Sequence, residues 1–500
     1  MAVDSTKKVA INTAIMYVRM MVLICISFYA SRVLLSTLGI ENFGIYSVVG
    51  SIATSFTAIK TLFSESLQRF LNIAKGKNED SIDEQRAIFN IGVYVHLILA
   101  IIFAIVVEII GLWLLETKLS IPPERLDVAK FVFHMTIIAT VFSMFTITYD
   151  AVVIANQHMS FYAVISIFDA VLKLLFIFLL PVIRYDNLME YSLLLITIPL
   201  STLIIQFFYC KRFSECKYQI RIDKKLFKEV LSLSGWNFVG NISFSLIHEG
   251  INMLLNVFGG VVFNAARAIA YQVKGVISQL SGNTLVAVRP FIMQQSVSIE
   301  PKEYYKNICM ISRLSFISVL IPVAPLIVYC SEVFNVWLEE VPSNAVLFTQ
   351  LALAGLLIRS FHEPFNIMFM AVGKIKRMMI IEVITMTLFL VLVYIALKST
   401  GILWLPFALL TIMELCIILF LLWNAVKEID FTGGYFIKHV LLPSFLLALV
   451  TGGVGYVFYL FKSSPFVLVY IVLFCCILAG LCYLFLDSKE RIILKRIIKR

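Results

Sequence analysis

The stretch from Val9 to Leu35 reads VAINTAIMYVRMMVLICISFYASRVLL. It is apolar over more than the roughly 20 residues that a helix needs to cross a bilayer, and it carries Arg19 and Arg32 inside it. A charged side chain at the bilayer centre costs roughly 2.5–3.5 kcal/mol on insertion scales. We therefore expect both arginines to face protein or water, and the stretch predicts a membrane helix with a cationic inner side.

Similar apolar runs continue along the chain, which is 60% hydrophobic and 14% charged over 500 residues. Soluble proteins are closer to half apolar and a quarter charged. The runs are too long for the alternating strands of outer-membrane barrels, so they predict an all-α integral membrane protein with about fourteen transmembrane helices. The predicted spans are 9–35, 44–64, 88–113, 128–154, 160–182, 190–210, 232–257, 263–287, 307–331, 346–370, 378–397, 402–424, 438–460 and 466–486.

The distribution of Lys and Arg predicts the orientation. Most of these residues lie in loops on the same side as the N-terminus, and the linker 211–231 is the richest in them. The opposite loops hold Lys118, Arg125, Arg184, Lys398 and Lys462. The positive-inside rule then puts both termini in the cytoplasm. It also accounts for most of the net charge of +10 without a nucleic-acid partner.

The spans group into two lobes of six helices each. The predicted domains are an N-terminal lobe 1–210, a basic cytoplasmic linker 211–231, a C-terminal lobe 232–424, two additional helices in 438–486 and a basic cytoplasmic tail 487–500. A shift of 220 residues aligns Gly39 with Gly259 and Phe43 with Phe263, which suggests a weak internal repeat. Because six is even, the lobes would share one orientation, with a site between them.

Residues three and four positions apart share a helix face, and several spans carry polar stripes at that spacing. The stripes predict a cationic cavity for an anionic substrate. Its candidate residues are Arg19, Arg32, Lys60, Arg267, Lys274, Asn241 and Asn252. Two alternatives stay open: Arg32 and Arg267 snorkel to the outer interface, or the polar residues only join helices to one another.

A second group of intramembrane residues can titrate, because His does so near neutrality and a buried carboxyl can. The candidates for ion coupling are His248, Glu249, Arg359, His362, Glu363 and Asp169. A satisfied network between helices is the alternative, and Asp169 with Lys173 is a possible structural i,i+4 pair. Pro364 is expected to kink the helix that carries Arg359, His362 and Glu363.

The sequence lacks the motifs that would predict an enzyme. There is no Walker A motif, no Asp-x-Asp pair and no helix with the two histidines of a zinc protease. The cysteines lie mostly in apolar runs without a CxxC pair. We therefore expect a non-enzyme without a cofactor or a metal.

Four stretches resemble bacterial polysaccharide flippases of the Wzx type. They are Asn12–Met20, the segment SRVLLSTLGIENFGIY at 31–46, ANQHMSFY at 155–162 and AVGK at 371–374. These flippases belong to a superfamily that also contains multidrug/toxin extruders and lipid II flippases. The resemblance implies a V-shaped pair of six-helix bundles with segments one, two, seven and eight around a cavity. Segment one lacks Asp and Glu, which departs from extruders with a sodium site there.

The resemblance also implies a function. The chain would move an undecaprenyl-pyrophosphate-linked oligosaccharide, such as an O-antigen, capsule or exopolysaccharide unit, from the cytoplasmic to the periplasmic leaflet of the bacterial inner membrane. An ion gradient or the membrane potential would supply the energy. Its partners would be the lipid-linked glycan, membrane lipids and other membrane proteins of polysaccharide assembly. The alternatives are a multidrug cation antiporter of the same superfamily and a membrane glycan polymerase or transferase.

Overall fold

The computed structural model describes residues 2–54, 66–75, 82–183, 185–219, 223–298, 300–429, 431–461, 466–486 and 491. Their regular structure is helical, without a strand in these ranges. The helices are α1 (Ala2–Thr54), α2 (66–75), α3 (Ile82–Thr117), α4 (Leu126–Ala155), α5 (Met159–Ile183), α6 (Asn187–Cys210), α7 (Lys224–Gly259), α8 (Val261–Ser298), α9 (Pro301–Val328), α10 (Cys330–Trp337), α11 (Ala345–Arg359), α12 (His362–Ala371), α13 (Ile375–Thr400), α14 (Leu405–Ile429), α15 (Gly433–Phe436), α16 (Leu442–Tyr459) and α17 (Val467–Phe485).

Ten helices among the described residues are long and apolar enough to cross a membrane. They confirm a multi-pass helical membrane protein, whereas the predicted count of about fourteen is not confirmed. One of the ten, Ile15–Ile52, runs from the first predicted span into the second. The helices α7 and α8, with 36 and 38 residues, have the length but are not among the ten. The shorter apolar helix Val469–Phe485 lies in the last predicted span.

Two glycines with positive φ interrupt long helices. Gly39 interrupts α1 with φ 75° and ψ 165°, and Gly260 separates α7 from α8 with φ 81° and ψ −178°. Residues with a Cβ rarely adopt this conformation, so both places require glycine. The glycines are 221 positions apart, one more than the shift of 220 read from the sequence. The break after α7 thus falls one residue beyond Gly259, which the shift pairs with Gly39, and the internal repeat stays a prediction.

The chain divides into two compact units, Met1–Ala265 and Ala266–Arg500. In the first unit α4 packs against α6 and α3, and α1 packs against α5. In the second unit α11 packs against α14 and α9, and α9 also contacts α16 and α17. The lobe boundaries 210 and 232, and the V-shaped arrangement, stay predictions.

The first part of the predicted linker is bound to the first unit by hydrogen bonds to Glu215. The Lys75 ammonium donates to Glu215 at 2.7 Å and to Asn156 at 2.7 Å, and Asn156 donates to Glu215 at 2.8 Å. Burial alone would raise the pKa of the Glu215 carboxyl, but the bonds from Lys75 and Asn156 outweigh it and hold this pKa below its usual value. The hydrogen bond with Cys210, together with burial, raises the pKa of the Cys216 thiol.

Candidate functional site

A cationic group lies on one face of α8 in the second unit. Arg267, Tyr271 and Lys274 are four and three positions apart, so they share that face. The guanidinium carbon of Arg267 lies 4.1 Å from the centre of the Tyr271 ring, and the Lys274 ammonium lies 5.0 Å from it. Arg267 is 5% exposed. A cation over an aromatic face is stabilised by the ring quadrupole, so two positive charges are held around one tyrosine.

A second group of charges surrounds the junction of α11 and α12. Arg359, the last residue of α11, donates to Glu414 of α14 at 2.8 Å. His362 begins α12, and its Nε2 lies 3.6 Å from a carboxylate oxygen of Glu382 on α13. Glu363 follows and accepts a bond from Asn366 at 3.2 Å. These residues lie in helices that are candidate spans.

The break between α11 and α12 has a local cause. Pro364 lacks the N–H that would bond to the carbonyl of Ser360, and its ring would clash with that carbonyl. The hydroxyl of Ser315 on α9 donates to the Ser360 carbonyl instead, at 2.9 Å. The expected kink is present, and it places His362 in the first turn of a new helix.

In the first unit, Arg19 of α1 lies over the ring of Tyr162 on α5, with its guanidinium carbon 4.7 Å from the ring centre. Asp169, two turns further along α5, accepts a hydrogen bond from Thr202 of α6. The proposed pairing of Asp169 with Lys173 stays a prediction. Arg19 and Asp169 thus lie on the two helices α1 and α5, which pack against each other.

The asparagine predicted to bind substrate is buried in a polar cluster. Asn252 is 1% exposed, donates to the Ser47 carbonyl at 3.3 Å and accepts from Asn264 at 2.9 Å. Asn256 donates to Asn264 at 2.8 Å and accepts from the Ser120 backbone N–H at 2.7 Å. These bonds join α7 to α1 and to the loop after α3. A role for Asn252 in binding stays a prediction.

The remaining predicted site residues are either half-buried or outside the described part of the chain. Arg32, His248 and Glu249 are each half-buried. Lys60 lies outside the described residues, as does the side chain of Asn241. Among the described residues no three His, Cys, Asp or Glu side chains come together in a group that could hold a metal ion.

Sequence reasoning missed Glu382 and Glu414, the two carboxylates that face the predicted His362 and Arg359. Each is a charge inside an otherwise apolar span, which is itself a sign of a functional or paired residue. Stripes along one helix do not reveal these residues, because each is the single charged residue of its predicted span. Pairing across helices therefore supplied what spacing along a helix did not.

The fold is similar to that of solved lipid flippases and multidrug transporters. A lipid II flippase, MurJ, in an inward-closed conformation aligns over 98% of this chain and 100% of its own with a TM-score of 0.71 and 14% identity. An inward-facing multidrug resistance MATE transporter of the MOP superfamily aligns over 83% and 96% with a TM-score of 0.60 and 13% identity.

A further MOP superfamily transporter, from Pyrococcus furiosus, is described as having a binding pocket of reversed polarity. It aligns over 83% of this chain and 96% of its own, with a TM-score of 0.55 and 13% identity. No protein-family model matches the sequence, and no curated protein matches it. At these identities the likenesses show the fold, and the Wzx-type resemblance remains one of sequence stretches.

Proposed function

We propose that this protein is a flippase for an undecaprenyl-pyrophosphate-linked oligosaccharide, which it moves from the cytoplasmic to the periplasmic leaflet of the bacterial inner membrane. The observation that carries the proposal is the pair of cations Arg267 and Lys274 around Tyr271. The shared fold with a lipid II flippase supports it, because that protein also handles a lipid. The unit carried would be an O-antigen, capsule or exopolysaccharide repeat.

The chemistry of the substrate matches the residues. A sugar and a pyrophosphate cannot cross hydrocarbon unaided, because polar groups without hydrogen-bond partners are costly there. In the proposal Arg19, Arg32, Lys60, Arg267 and Lys274 bind the pyrophosphate. Arginine can bind phosphate oxygens with two parallel bonds. Asn241 and Asn252 would bind the sugar.

A groove in the second unit is suited to the lipid tail. A cavity of about 510 Å³ is lined mostly by apolar side chains of α9, α11, α16 and α17, among them Leu320, Leu357, Ala448 and Phe474. A polyprenyl chain could remain there while the headgroup crosses. The helices α16 and α17 are the two additional helices of the sequence prediction, and the groove gives them a role.

The energy source is part of the proposal. Both termini would be cytoplasmic, as the positive-inside rule predicts. An inside-negative potential then favours outward movement of an anionic headgroup by about 2.3 kcal/mol per charge per 100 mV. Coupling to an ion through His248, Glu249, Arg359, His362, Glu363 or Asp169 would add to it.

A multidrug cation antiporter is the second candidate, because MATE transporters share the fold. It would need a cavity that attracts organic cations. Arg267 is buried beside Lys274 on one face of α8, which disfavours such a cargo. A glycan polymerase or transferase is disfavoured because the sequence has no long loop for an active site.

The experiment measures lipid-linked glycan in cells that lack the gene. The flippase proposal expects undecaprenyl-linked oligosaccharide to accumulate facing the cytoplasm, with loss of surface polysaccharide. Complementation with Arg267→Ala should fail, whereas Arg212→Ala, an exposed linker arginine over Tyr209 at 3.6 Å, should succeed. Unchanged glycan together with new sensitivity to cationic dyes would reject the flippase and favour the antiporter.

A further inference from the structure

We propose that His362 and Glu382 form a proton-binding site inside the second unit. The role of this site rests on the proposed function, since the bound proton would couple transport to the proton gradient. The evidence for the site itself comes from the geometry around His362. Glu382 was not among the residues that the sequence pointed to.

His362 is buried, and its Nε2 atom is not hydrogen-bonded. The side chain is 3% exposed, and Nε2 has no hydrogen-bond partner. The Oε1 atom of the Glu382 carboxylate lies 3.6 Å from Nε2. A buried polar atom without a bond is costly. A proton on Nε2, or a water beside it, would allow that nitrogen to bond to the carboxylate.

Both side chains line a cavity that can hold the water for proton transfer. The cavity lies between α12, α13 and α14, has a volume of about 210 Å³ and is otherwise mostly apolar, with Met378, Ile417 and Phe420 in its wall. At about 30 Å³ for each water, it has room for several. The cavity therefore has room for water beside His362 and Glu382.

Charged groups of both signs surround His362. On α11 and α14, Arg359 and Glu414 form an ion pair. Glu363 on α12 and Glu382 on α13 also act on the imidazole electrostatically, and Lys274 on α8 acts on Glu414. With His362 neutral, three carboxylates face two cations, and protonation balances the set. Arg359 and the N-terminus of α12 oppose the imidazolium charge.

The chemistry favours a proton over a sodium ion. Hard cations such as Ca²⁺ and Mg²⁺ take oxygen ligands, whereas the unbonded atom at the centre of this site is an imidazole nitrogen. Imidazole changes its charge near neutral pH. The site would load a proton on one side of the membrane and release it when movement of α13 changes the distance between Glu382 and His362.

The test follows the protonation of His362 by nuclear magnetic resonance of full-length protein in detergent micelles, with histidine rings isotope-labelled. The chain has six histidines, and the His362 signal is assigned by removing the others one at a time. We expect this signal to change with pH as the imidazole takes up its proton. Glu382→Gln should lower the midpoint by about one pH unit or more, because an opposite charge within 4–6 Å favours the charged form.

The matched control is a second His–Glu pair, His134 and Glu108, whose side chains are half-exposed. Their nitrogen and oxygen atoms lie 3.1 Å apart. Glu108→Gln should leave the His362 midpoint unchanged. A His362 signal that keeps one protonation state throughout, or a midpoint that Glu382→Gln does not move, would overturn the proposal. The wild-type titration decides the first point even where a variant does not fold.

The outcome is independent of the glycan experiment, because no substrate is added. If His362 titrates but loss of the gene leaves the glycan unchanged, the proton site is kept and the flippase is rejected. If the His362 signal does not titrate but loss of the gene makes lipid-linked glycan accumulate, the proton site is rejected and the flippase is kept.

Discussion

Arg359 and Glu414 form an ion pair between α11 and α14 with an N–O distance of 2.8 Å, and the Glu414 side chain is only 8% exposed. A buried carboxylate is tolerated only when it is paired, since its desolvation is costly. The pair therefore does more than a surface salt bridge: it allows a charge to remain inside a helix that is otherwise suited to lipid.

Removing one member of this pair should be far worse than removing both. We expect Arg359→Met to lower stability by about 3–5 kcal/mol, because Glu414 is left buried and unpaired. The double variant Arg359→Met with Glu414→Leu should recover most of that loss. Thermal unfolding of purified protein in detergent measures both. Equal losses in the single and double variants would mean that the pair is not the reason for the cost.

The surface pair Lys130 and Glu116, at 2.6 Å with side chains 29% and 51% exposed, is the control for this comparison. Glu116→Gln removes the same kind of ion pair where water can replace it. We expect its unfolding temperature to stay close to that of the wild type.

Acid should weaken the attachment of the linker to the first unit. The pKa of Glu215 is held below its usual value by Lys75 and Asn156 despite burial. The bond therefore contributes fully above the unfolded-state pKa of about 4.3, and its contribution is lost as pH falls through the lower folded value. In Glu215→Gln this part of the pH dependence should disappear, which thermal unfolding between about pH 3 and 7 measures.

Asp83, which pairs with Arg86 at 3.1 Å but is 89% exposed at its side chain, provides the comparison. Asp83→Asn removes a carboxylate of the same region without removing a buried bond. A loss of acid sensitivity in Asp83→Asn as large as in Glu215→Gln would show that general charge, and not the buried bond, is responsible.

Spacing along a single helix predicted part of the site, and contacts between helices supplied the rest. Spacing of three and four positions predicts Arg359, His362 and Glu363 on one helix face, and the structure breaks the helix between Arg359 and His362. Glu414 could not be paired with Arg359 in this way, since 55 positions separate them. For Asn252, the spacing along the helix did not show its surroundings: its amide bonds to Ser47 and Asn264 inside the protein.

For the fold, the sequence predicted the helical class but not the boundary between the first two spans. Hydropathy alone indicates a multi-pass helical protein, because lipid requires long apolar helices. The boundary between the first two spans was expected as a loop near 36–43. The structure instead continues the helix on both sides of Gly39, whose φ of 75° makes the turn within one residue. A single glycine in an apolar run does not distinguish these two cases.

Arg19 should be needed for transport and not for folding. It lies over Tyr162 at 4.7 Å, and in the proposed function it binds the pyrophosphate. We expect Arg19→Ala to abolish transport of lipid-linked glycan while protein abundance stays normal, and Lys60→Ala to behave alike. Arg19→Lys should keep part of the activity, since lysine keeps the charge but not the bidentate geometry.

The control is Arg212, which lies over Tyr209 with its guanidinium carbon 3.6 Å from the ring centre but is exposed in the linker. Arg212→Ala removes the same type of contact away from the proposed cavity and should leave transport intact. Loss of abundance in Arg19→Ala, measured by quantitative blotting of membranes, would make Arg19 structural.

The hinge at Gly39 should resist substitution for conformational reasons alone. A Cβ there would meet no atom within 4 Å, so space is available. Its φ of 75° and ψ of 165° are nevertheless unfavourable for residues with a side chain, by roughly 1–3 kcal/mol. We expect Gly39→Ala to lower the unfolding temperature, and Gly50→Ala, in the same helix with open space and ordinary φ, to preserve or raise it. A stabilising Gly39→Ala would reject the hinge.

Filling the groove of the second unit should block transport of a lipid-linked substrate without unfolding the protein. Gly452 and Gly453 are neighbours on α16, and a Cβ on either would meet no atom within 4 Å. Gly452 lines the cavity of about 510 Å³, whereas Gly453 is not among its lining residues. We therefore expect Gly452→Leu to occupy space needed by the polyprenyl tail and to lose most of its complementation of surface polysaccharide. Gly453→Leu, which makes the same change one position away, should complement normally. Equal complementation by the two variants, at equal abundance in the membrane, would mean that the groove does not hold the tail, and the headgroup would then have to cross without this support.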